Sequence, residues 1–336
     1  MKLLTVTVPC YNSQEYMEKC INSLLPGGDR VEIIIIDDGS RDQTGAIADA
    51  FAEKYPDIVR VIHQENGGHG EGINRGLEYA TGHYFKVVDS DDWVSEDFLP
   101  FLDKLEACSK EEVDLFITNY YYVHSDGKRD RAICYRDCLP EYRVFCWEDT
   151  KSFKAHKLLT IHSCTFRTDI LRKWAHRLPK HIFYEDNLMV YQSLVHVNKM
   201  YYMNVDLYQY WIGRPDQSVQ KSVMMQRYTH QLLVTELCFS ACKLDDILQK
   251  KLKKYLCHEL YILFGISIIY ARLHKKKESD HNMEQMFKNC SLVDEKWSRH
   301  FRYHTPLWLI CIPGRLGYWI STLVYWFTNV AVIRFN

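Results

Sequence analysis

The sequence predicts an α/β fold: a doubly wound, largely parallel sheet over residues 1–220, followed by a helical C-terminal region over 221–336. Three observations carry this expectation. Strand-then-helix patterns follow one another four times in the first third of the chain. The second strand, residues 31–36, reads Val-Glu-Ile-Ile-Ile-Ile, the nearly pure aliphatic run of a strand covered on both faces. From about residue 222 to 275, Leu232, Leu233, Leu237, Leu244 and Ile247 recur at helical spacing with few breakers.

The first strand spans 3–8. Asn12 is expected to cap the helix that follows, with Glu15 as its capping-box partner. Tyr16, Cys20, Ile21 and Leu24 line one face of that helix, and Pro26-Gly27-Gly28 ends it. After the aliphatic strand, Asp38-Gly39-Ser40 turns the chain into a second helix carrying Ile47, Phe51 and Tyr55. Residues 59–62 form a third strand. Gly67-Gly68 then breaks the chain before a helix carrying Ile73, Leu77 and Ala80, and 84–88 is a fourth strand. Residues 113–122 read as one further strand, whereas 125–215 show no clean period. Such units imply right-handed crossovers and ligand binding at the carboxyl ends of the strands.

Composition narrows the function. With 47% apolar and 25% charged residues the chain is globular, and a net charge of −1 argues against a nucleic-acid partner. The 12 Cys include no CxxC pair, and no His partners them at zinc-finger spacing. They read as buried thiols of a reducing cytosol. The N-terminus carries one positive charge and a short apolar run, as expected of a first strand and not of a signal peptide.

Three motifs fall at strand ends. Asp89-Ser90-Asp91-Asp92 brings three carboxylates together, and hard oxygen ligands suit Mg²⁺ or Mn²⁺ bridging to phosphate. The bland alternative is a solvated helix cap. Asp37-Asp38 can accept from a ligand N–H or a ribose hydroxyl, or simply form an Asp-Gly turn. In Asn66-Gly67-Gly68-His69-Gly70-Glu71-Gly72 the glycines allow close backbone approach before a helix N-terminus, where phosphate is favoured. The spacing matches neither a Walker loop nor G-x-G-x-x-G.

In order, Val8-Pro9-Cys10-Tyr11-Asn12, Asp37-Asp38-Gly39-Ser40, Asn66-Gly67-Gly68 through Asn74-Arg75-Gly76, and Asp89-Ser90-Asp91-Asp92-Trp93 resemble the signature of family 2 glycosyltransferases with the GT-A fold, over about residues 1–215. The resemblance implies an inverting sugar transfer from a nucleotide-diphosphate donor, more specifically a UDP-sugar. Pro9 and Tyr11 would contact the base, Tyr11 by stacking. Asp38 would accept from the base N–H, with Asp37 close by. Asn66, Gly67 and Asn74 would line the donor site, and Asp89 would approach the ribose or the metal. Asp91 and Asp92 would carry the ion. Many members have Ala-Arg-Asn where this chain has Gly72-Ile73-Asn74, which removes a positive charge that Arg75 or Arg214 could replace. Glu185-Asp186 resembles the family's acidic pair, implying Asp186 as general base and Glu185 as a partner that binds a hydroxyl. Arg214, in Gly213-Arg214-Pro215, would sit on the diphosphate.

Residues 316–333 carry no charge and include Tyr318, Trp319, Tyr325 and Trp326. At the lower limit for a span, this stretch suits a helix lying in a membrane interface, the alternative being a C-terminal helix packed on the catalytic domain. Lys251-Lys253-Lys254 and Lys275-Lys276-Lys277 would favour anionic lipid. A glycan or lipid-linked acceptor follows as an expectation, with the protein cytoplasmic and peripheral on the inner face of the cell membrane. Two rivals stand beside this reading. A sugar-phosphate nucleotidyltransferase would need a Gly-rich basic loop after the first strand, which residues 8–12 do not offer. A catalytically silent nucleotide-sugar-binding or membrane scaffold protein would not need Asp89, Asp91 and Asp186.

Overall fold

A computed structural model describes residues 2–124, 132–154, 157–173, 177–212, 221–274 and 277–335. The chain divides into two compact units. One holds residues 1–152 and 159–213, the other 153–158 and 214–336.

The first unit opens with three β-α steps and a fourth strand. The strands are β1 (Leu4–Cys10), β2 (Val31–Asp37), β3 (Val59–His63) and β4 (Tyr84–Val87). The helices α1 (Met17–Leu24), α2 (Thr44–Lys54) and α3 (His69–Tyr79) join them. The strands pair in parallel in the order β3-β2-β1-β4. After β3 the chain returns to the far side of β1, so a topological switch point lies between β1 and β4, where such sheets bind ligands. Ile33, Ile34, Ile35 and Ile36 are all fully buried, so both faces of β2 are covered as the aliphatic run requires.

Next come β5 (Trp93–Val94), α4 (Phe98–Ala107), β6 (Leu115–Ile117), β7 (Tyr120–His124), β8 (Val144–Phe145), β9 (Cys164–Arg167), α5 (Thr168–Leu171), α6 (Glu185–Leu194), β10 (Met200–Tyr202) and β11 (Tyr208–Ile212). The main sheet reads β3-β2-β1-β4-β9-β6-β10-β8, and β9 runs antiparallel to both of its neighbours, which makes the sheet mixed. A second sheet is ordered β5-β11-β7.

Two local expectations are corrected. Residues 113–122 are not one strand. The chain leaves the main sheet after Ile117 and enters the second sheet at Tyr120. Buried Asn119 fixes the jump: its side-chain amide donates to Asn204 Oδ1 (2.8 Å) and Asp206 Oδ1 (3.0 Å). Nor does Asn12 cap α1, which begins at Met17. Asn12 instead takes a left-handed φ of 50° and accepts from the Arg41 N–H through Oδ1 (2.9 Å), tying the loop after β1 to the loop after β2. α1 still buries Met17, Cys20, Ile21 and Leu24, one face at helical spacing.

The second unit consists of α7 (Lys221–Gln226), α8 (Tyr228–Ser240), α9 (Lys250–Leu273), α10 (Lys277–Val293), α11 (Glu295–Tyr303), α12 (Trp308–Cys311) and α13 (Gly314–Phe335). Its centre is an aromatic stack in which Phe264 of α9 lies 5.3 Å from Phe287 and 5.1 Å from Phe301. Among the described residues one helix, α9, is long and apolar enough to cross a membrane, and more than half of its apolar stretch is buried inside the structure. No disulfide joins any of the twelve cysteines, most of which are buried.

Candidate active site

The carboxyl ends of β1, β2 and β4 are laced together by short polar contacts. Ser13 after β1 bonds Ser90 after β4 (Oγ to Oγ, 2.8 Å), and the Ser13 N–H donates to Thr44 Oγ1 at the start of α2 (2.7 Å). Tyr11 stands at this edge, 49% exposed. Pro9 is buried beneath α3, where Gly72 leaves room: a Cβ there would come 3.0 Å from Pro9 Cβ.

Asp38 shapes the glycine loop. Its Oδ1 accepts from Gln64 Nε2 (2.7 Å) and the Gly67 N–H (2.7 Å), and its Oδ2 accepts from the Gly68 N–H (2.8 Å). A carboxylate offers about four lone-pair directions, so three bonds leave one for a ligand donor. Asn66 donates its side-chain amide to the Asp38 carbonyl (2.8 Å). Gly68 adopts φ +85°, and a Cβ there would lie 2.9 Å from His181 N, so the loop needs glycine at this point. Asp37 accepts from the Ser40 N–H and bonds His63. Burial pushes its carboxyl up, but Ser40 and His63 outweigh that and hold it below the usual carboxylate range. Asn74 is buried and spends its amide on both backbone groups of Leu178, fixing the segment that leads to α6. Arg75 pairs with Glu78 (2.9 Å) and with the Tyr79 hydroxyl (3.2 Å). Arg214 lies outside the described residues.

The three clustered aspartates differ sharply. Asp92 is fully buried and points inward, accepting from the Tyr208 hydroxyl through Oδ2 (2.6 Å) and from the Trp211 N–H through Oδ1 (2.8 Å). Burial first, then Asp91 and Asp89, push its carboxyl well above the usual range. Asp89 bonds His69 Nε2 through Oδ1 (2.8 Å). Burial would raise it, but His69, His162 and Lys86 outweigh burial and keep it ionised. Asp91 is partly exposed. The Tyr208 hydroxyl also accepts from the Asp89 N–H (3.2 Å), so one phenol serves two of the aspartates. Tyr208→Phe should therefore lower stability by about 1.5–3 kcal/mol, read as a lower urea midpoint. An unchanged midpoint would show that the hydroxyl contributes nothing.

Four site residues were not anticipated. His69, at the first position of α3, bonds Asp89 through Nε2 and Glu185 Oε1 through Nδ1, both at 2.8 Å. Bonded to two carboxylates, the ring needs both protons. Burial would push it down, yet Asp89 and Glu185 hold it well above the usual imidazole range. His69 thus joins the end of β4 to the start of α6. Its signal was a lone histidine among glycines at a helix start.

Lys86 is buried in β4 and donates to the carbonyls of His162 (2.8 Å) and Cys164 (3.3 Å), and burial lowers its ammonium to about 8. A lysine inside a sheet strand was the available signal. His162 packs at a tilt against Tyr208 and Tyr210, with centroids 4.8 and 4.5 Å away. Burial, with Lys86 and His69 nearby, lowers it to about 4, so it is neutral. Its Nδ1 is buried without a hydrogen-bond partner, and it offers a ligand atom within 4.8 Å of those of Asp89 and Asp92. Neither His162 nor Tyr208 carried a local sequence signal for this role.

Glu185 and Asp186 open α6. Tyr184, with a left-handed φ of 70°, turns the chain into the helix. Glu185 is buried. Asp186 is raised to about 7 by burial first and then by the charge of Glu185. A carboxylate poised near neutrality suits proton abstraction.

This mixed sheet, with its carboxylates gathered at the carboxyl ends of the strands, is the GT-A arrangement. The chain belongs to the family described as "Glycosyl transferase family 2", whose model matches residues 5–173. It is 30% identical over 248 residues to the "Putative glycosyltransferase EpsH" of Bacillus subtilis, covering 70% of this chain and 66% of EpsH. It is 41% identical over 129 residues to "Glycosyltransferase GlyG" of Streptococcus pneumoniae, covering 38% of this chain and 42% of GlyG. The chain thus spans less than two thirds of the length of either relative. Among solved structures, S. aureus TarS 1-349 in complex with UDP-GlcNAc superposes with a TM-score of 0.67 over 88% of this chain and 82% of that one, at 21% identity. At that identity the likeness establishes the fold.

Proposed function

We propose that the chain is an inverting glycosyltransferase that moves a sugar from a UDP-sugar to a hydroxyl of a glycan or lipid-linked acceptor, at the inner face of the cell membrane. The observation that carries the reading is the link from donor edge to acceptor edge: His69 holds Asp89 at the end of β4 and Glu185 at the start of α6, with Asp186 beside it. Asp186 takes the proton of the acceptor hydroxyl as its oxygen attacks the anomeric carbon. The bond from that carbon to the diphosphate breaks on the opposite face, and UDP leaves with the electron pair. Glu185 accepts from an acceptor hydroxyl. Tyr11 stacks on the base, and the last open lone pair of Asp38 takes a base N–H.

The residues present fit a divalent cation. Asp89, Asp91 and Asp92 would hold it together with His162, whose orphaned Nδ1 marks a buried nitrogen short of a partner. Such an ion would neutralise charge on the departing diphosphate. Oxygen ligands alone suited Mg²⁺ or Mn²⁺ equally, and the imidazole tips the choice toward Mn²⁺. TarS, solved with UDP-GlcNAc, supports a UDP-sugar as donor. A panel of UDP-sugars incubated with the protein, Mn²⁺ and candidate acceptors should release UDP with at least one donor. Binding of UDP without release from any pairing would instead favour a silent binding protein.

A further inference from the structure

The C-terminal helix of the second unit has two unlike faces. On one, Gly317 and Ser321 are buried, and the Tyr318 hydroxyl donates to Asp280 Oδ2 (2.6 Å). A Cβ on Gly317 would collide with the Ile312 carbonyl, so this face sits tight against the turn from α12. The Tyr325 ring lies 6.0 Å from Tyr270 of α9. On the other face Leu316, Trp319, Trp326 and Phe327 are 56%, 62%, 58% and 62% exposed. Their spacing places them on one stripe of α13. Trp308 and Leu309 of α12 add 49% and 40%. Single exposed apolar residues need no explanation, but a row of tryptophans and a phenylalanine does.

We propose that the exposed face of α12 and α13 docks on the headgroup layer of an anionic bilayer. Two features select this occupant over a second copy of the chain. The first is charge. After Glu295 the sequence holds no Asp or Glu, only Lys296, Arg299, Arg302, Arg315 and Arg334. Lys296, Arg299 and Arg302 pair with Asp245, Glu295 and Glu284, whereas Arg315 is exposed beside Leu316 with no ion pair among the described residues. The second is the tryptophans themselves. The indole N–H groups of Trp308, Trp319 and Trp326 have no hydrogen-bond partner among the described residues. An apolar face of another copy would bury those donors, while lipid carbonyls and phosphates accept from them. The rings reach the acyl boundary and Arg315 meets the phosphates, so the helix lies in the interface plane.

The test uses the full chain and sedimentation with phosphatidylcholine vesicles, with and without phosphatidylglycerol. Wild type should co-sediment with the anionic vesicles, and its tryptophan emission should shift to the blue. The triple variant Trp319→Ser, Trp326→Ser, Phe327→Ser should lose at least about tenfold in partitioning. Arg315→Glu should lose about fivefold, and only on anionic vesicles. These residues are exposed, so both variants should keep the wild-type melting temperature and bind UDP as wild type does. That separates this inference from the proposed transfer reaction. It is overturned if folded wild type ignores anionic vesicles or if the triple variant binds them equally well. A vesicle-free dimer that the triple variant abolishes would assign the face to a second copy.

Discussion

Asp186→Asn is expected to lower the rate of sugar transfer by about 10²–10⁴-fold, the contribution of a positioned general base, while UDP binding stays intact. The amide keeps the size and the hydrogen bonding of the side chain but cannot take a proton. The same group sets two pH effects. As the proposed base, Asp186 works only when ionised, so the wild-type rate should rise with pH through about 7, the value to which burial and Glu185 push it. Stability should move the opposite way. An unfolded Asp loses its proton near its ordinary value, whereas the folded one keeps its proton to about 7. Between those two values the native state binds the extra proton, so stability falls as pH rises across that window. At pH 8 the folded carboxylate is charged and costly, and the variant avoids this. Asp186→Asn should therefore melt higher than wild type at pH 8 and lose that advantage at pH 4. A variant that turns over fully, or that melts lower at pH 8, would remove Asp186 from the role of base.

Asp91→Ala should also abolish transfer, but by a different route: it should weaken nucleotide binding, which Asp186→Asn leaves alone. Chelation should reproduce this loss in wild type, and Mn²⁺ should restore binding at lower concentration than Mg²⁺ if, as proposed, His162 would add an imidazole to the oxygen ligands. His162→Ala should narrow that preference. Asp92 differs from Asp91 in bracing the fold as well. Each of its oxygens accepts one bond, from Tyr208 and from Trp211, so Asp92→Ala should leave buried donors unpaired and lower the melting temperature as well as activity. Equal Mg²⁺ and Mn²⁺ responses in wild type would take His162 out of the ion's surroundings.

The parallel half of the sheet was legible because each β-α step is local: an aliphatic strand, a Gly or Asp turn, and an amphipathic helix lie within one stretch of chain. The break between β6 and β7 was not, because the contacts that force it come from Asn204 and Asp206, 85 and 87 residues further on. The same distance hides the split among the aspartates. Asp89, Asp91 and Asp92 look alike in sequence. What turns Asp92 inward is a hydroxyl and an N–H supplied 116 and 119 residues away. Asp38 showed the reverse. It stands out in the sequence as a ligand acceptor, but three of its four or so lone pairs serve Gln64 and the loop at Gly67 and Gly68. His162 comes from a stretch without period, and the bond from Lys86 to its carbonyl and the ring of Tyr208 bring it to the aspartates.

The central claim is that the carboxyl ends of β1, β2 and β4 grip one metal-bound nucleotide. Calorimetric titration of UDP into the 336-residue chain, with Mn²⁺ and with chelator, addresses it most directly. The account predicts saturable binding of one UDP that needs Mn²⁺, weakens at least about tenfold in Asp91→Ala and Tyr11→Ala, and persists in Asp186→Asn. Binding that ignores the metal, or that survives unchanged in Asp91→Ala and Tyr11→Ala, would contradict it.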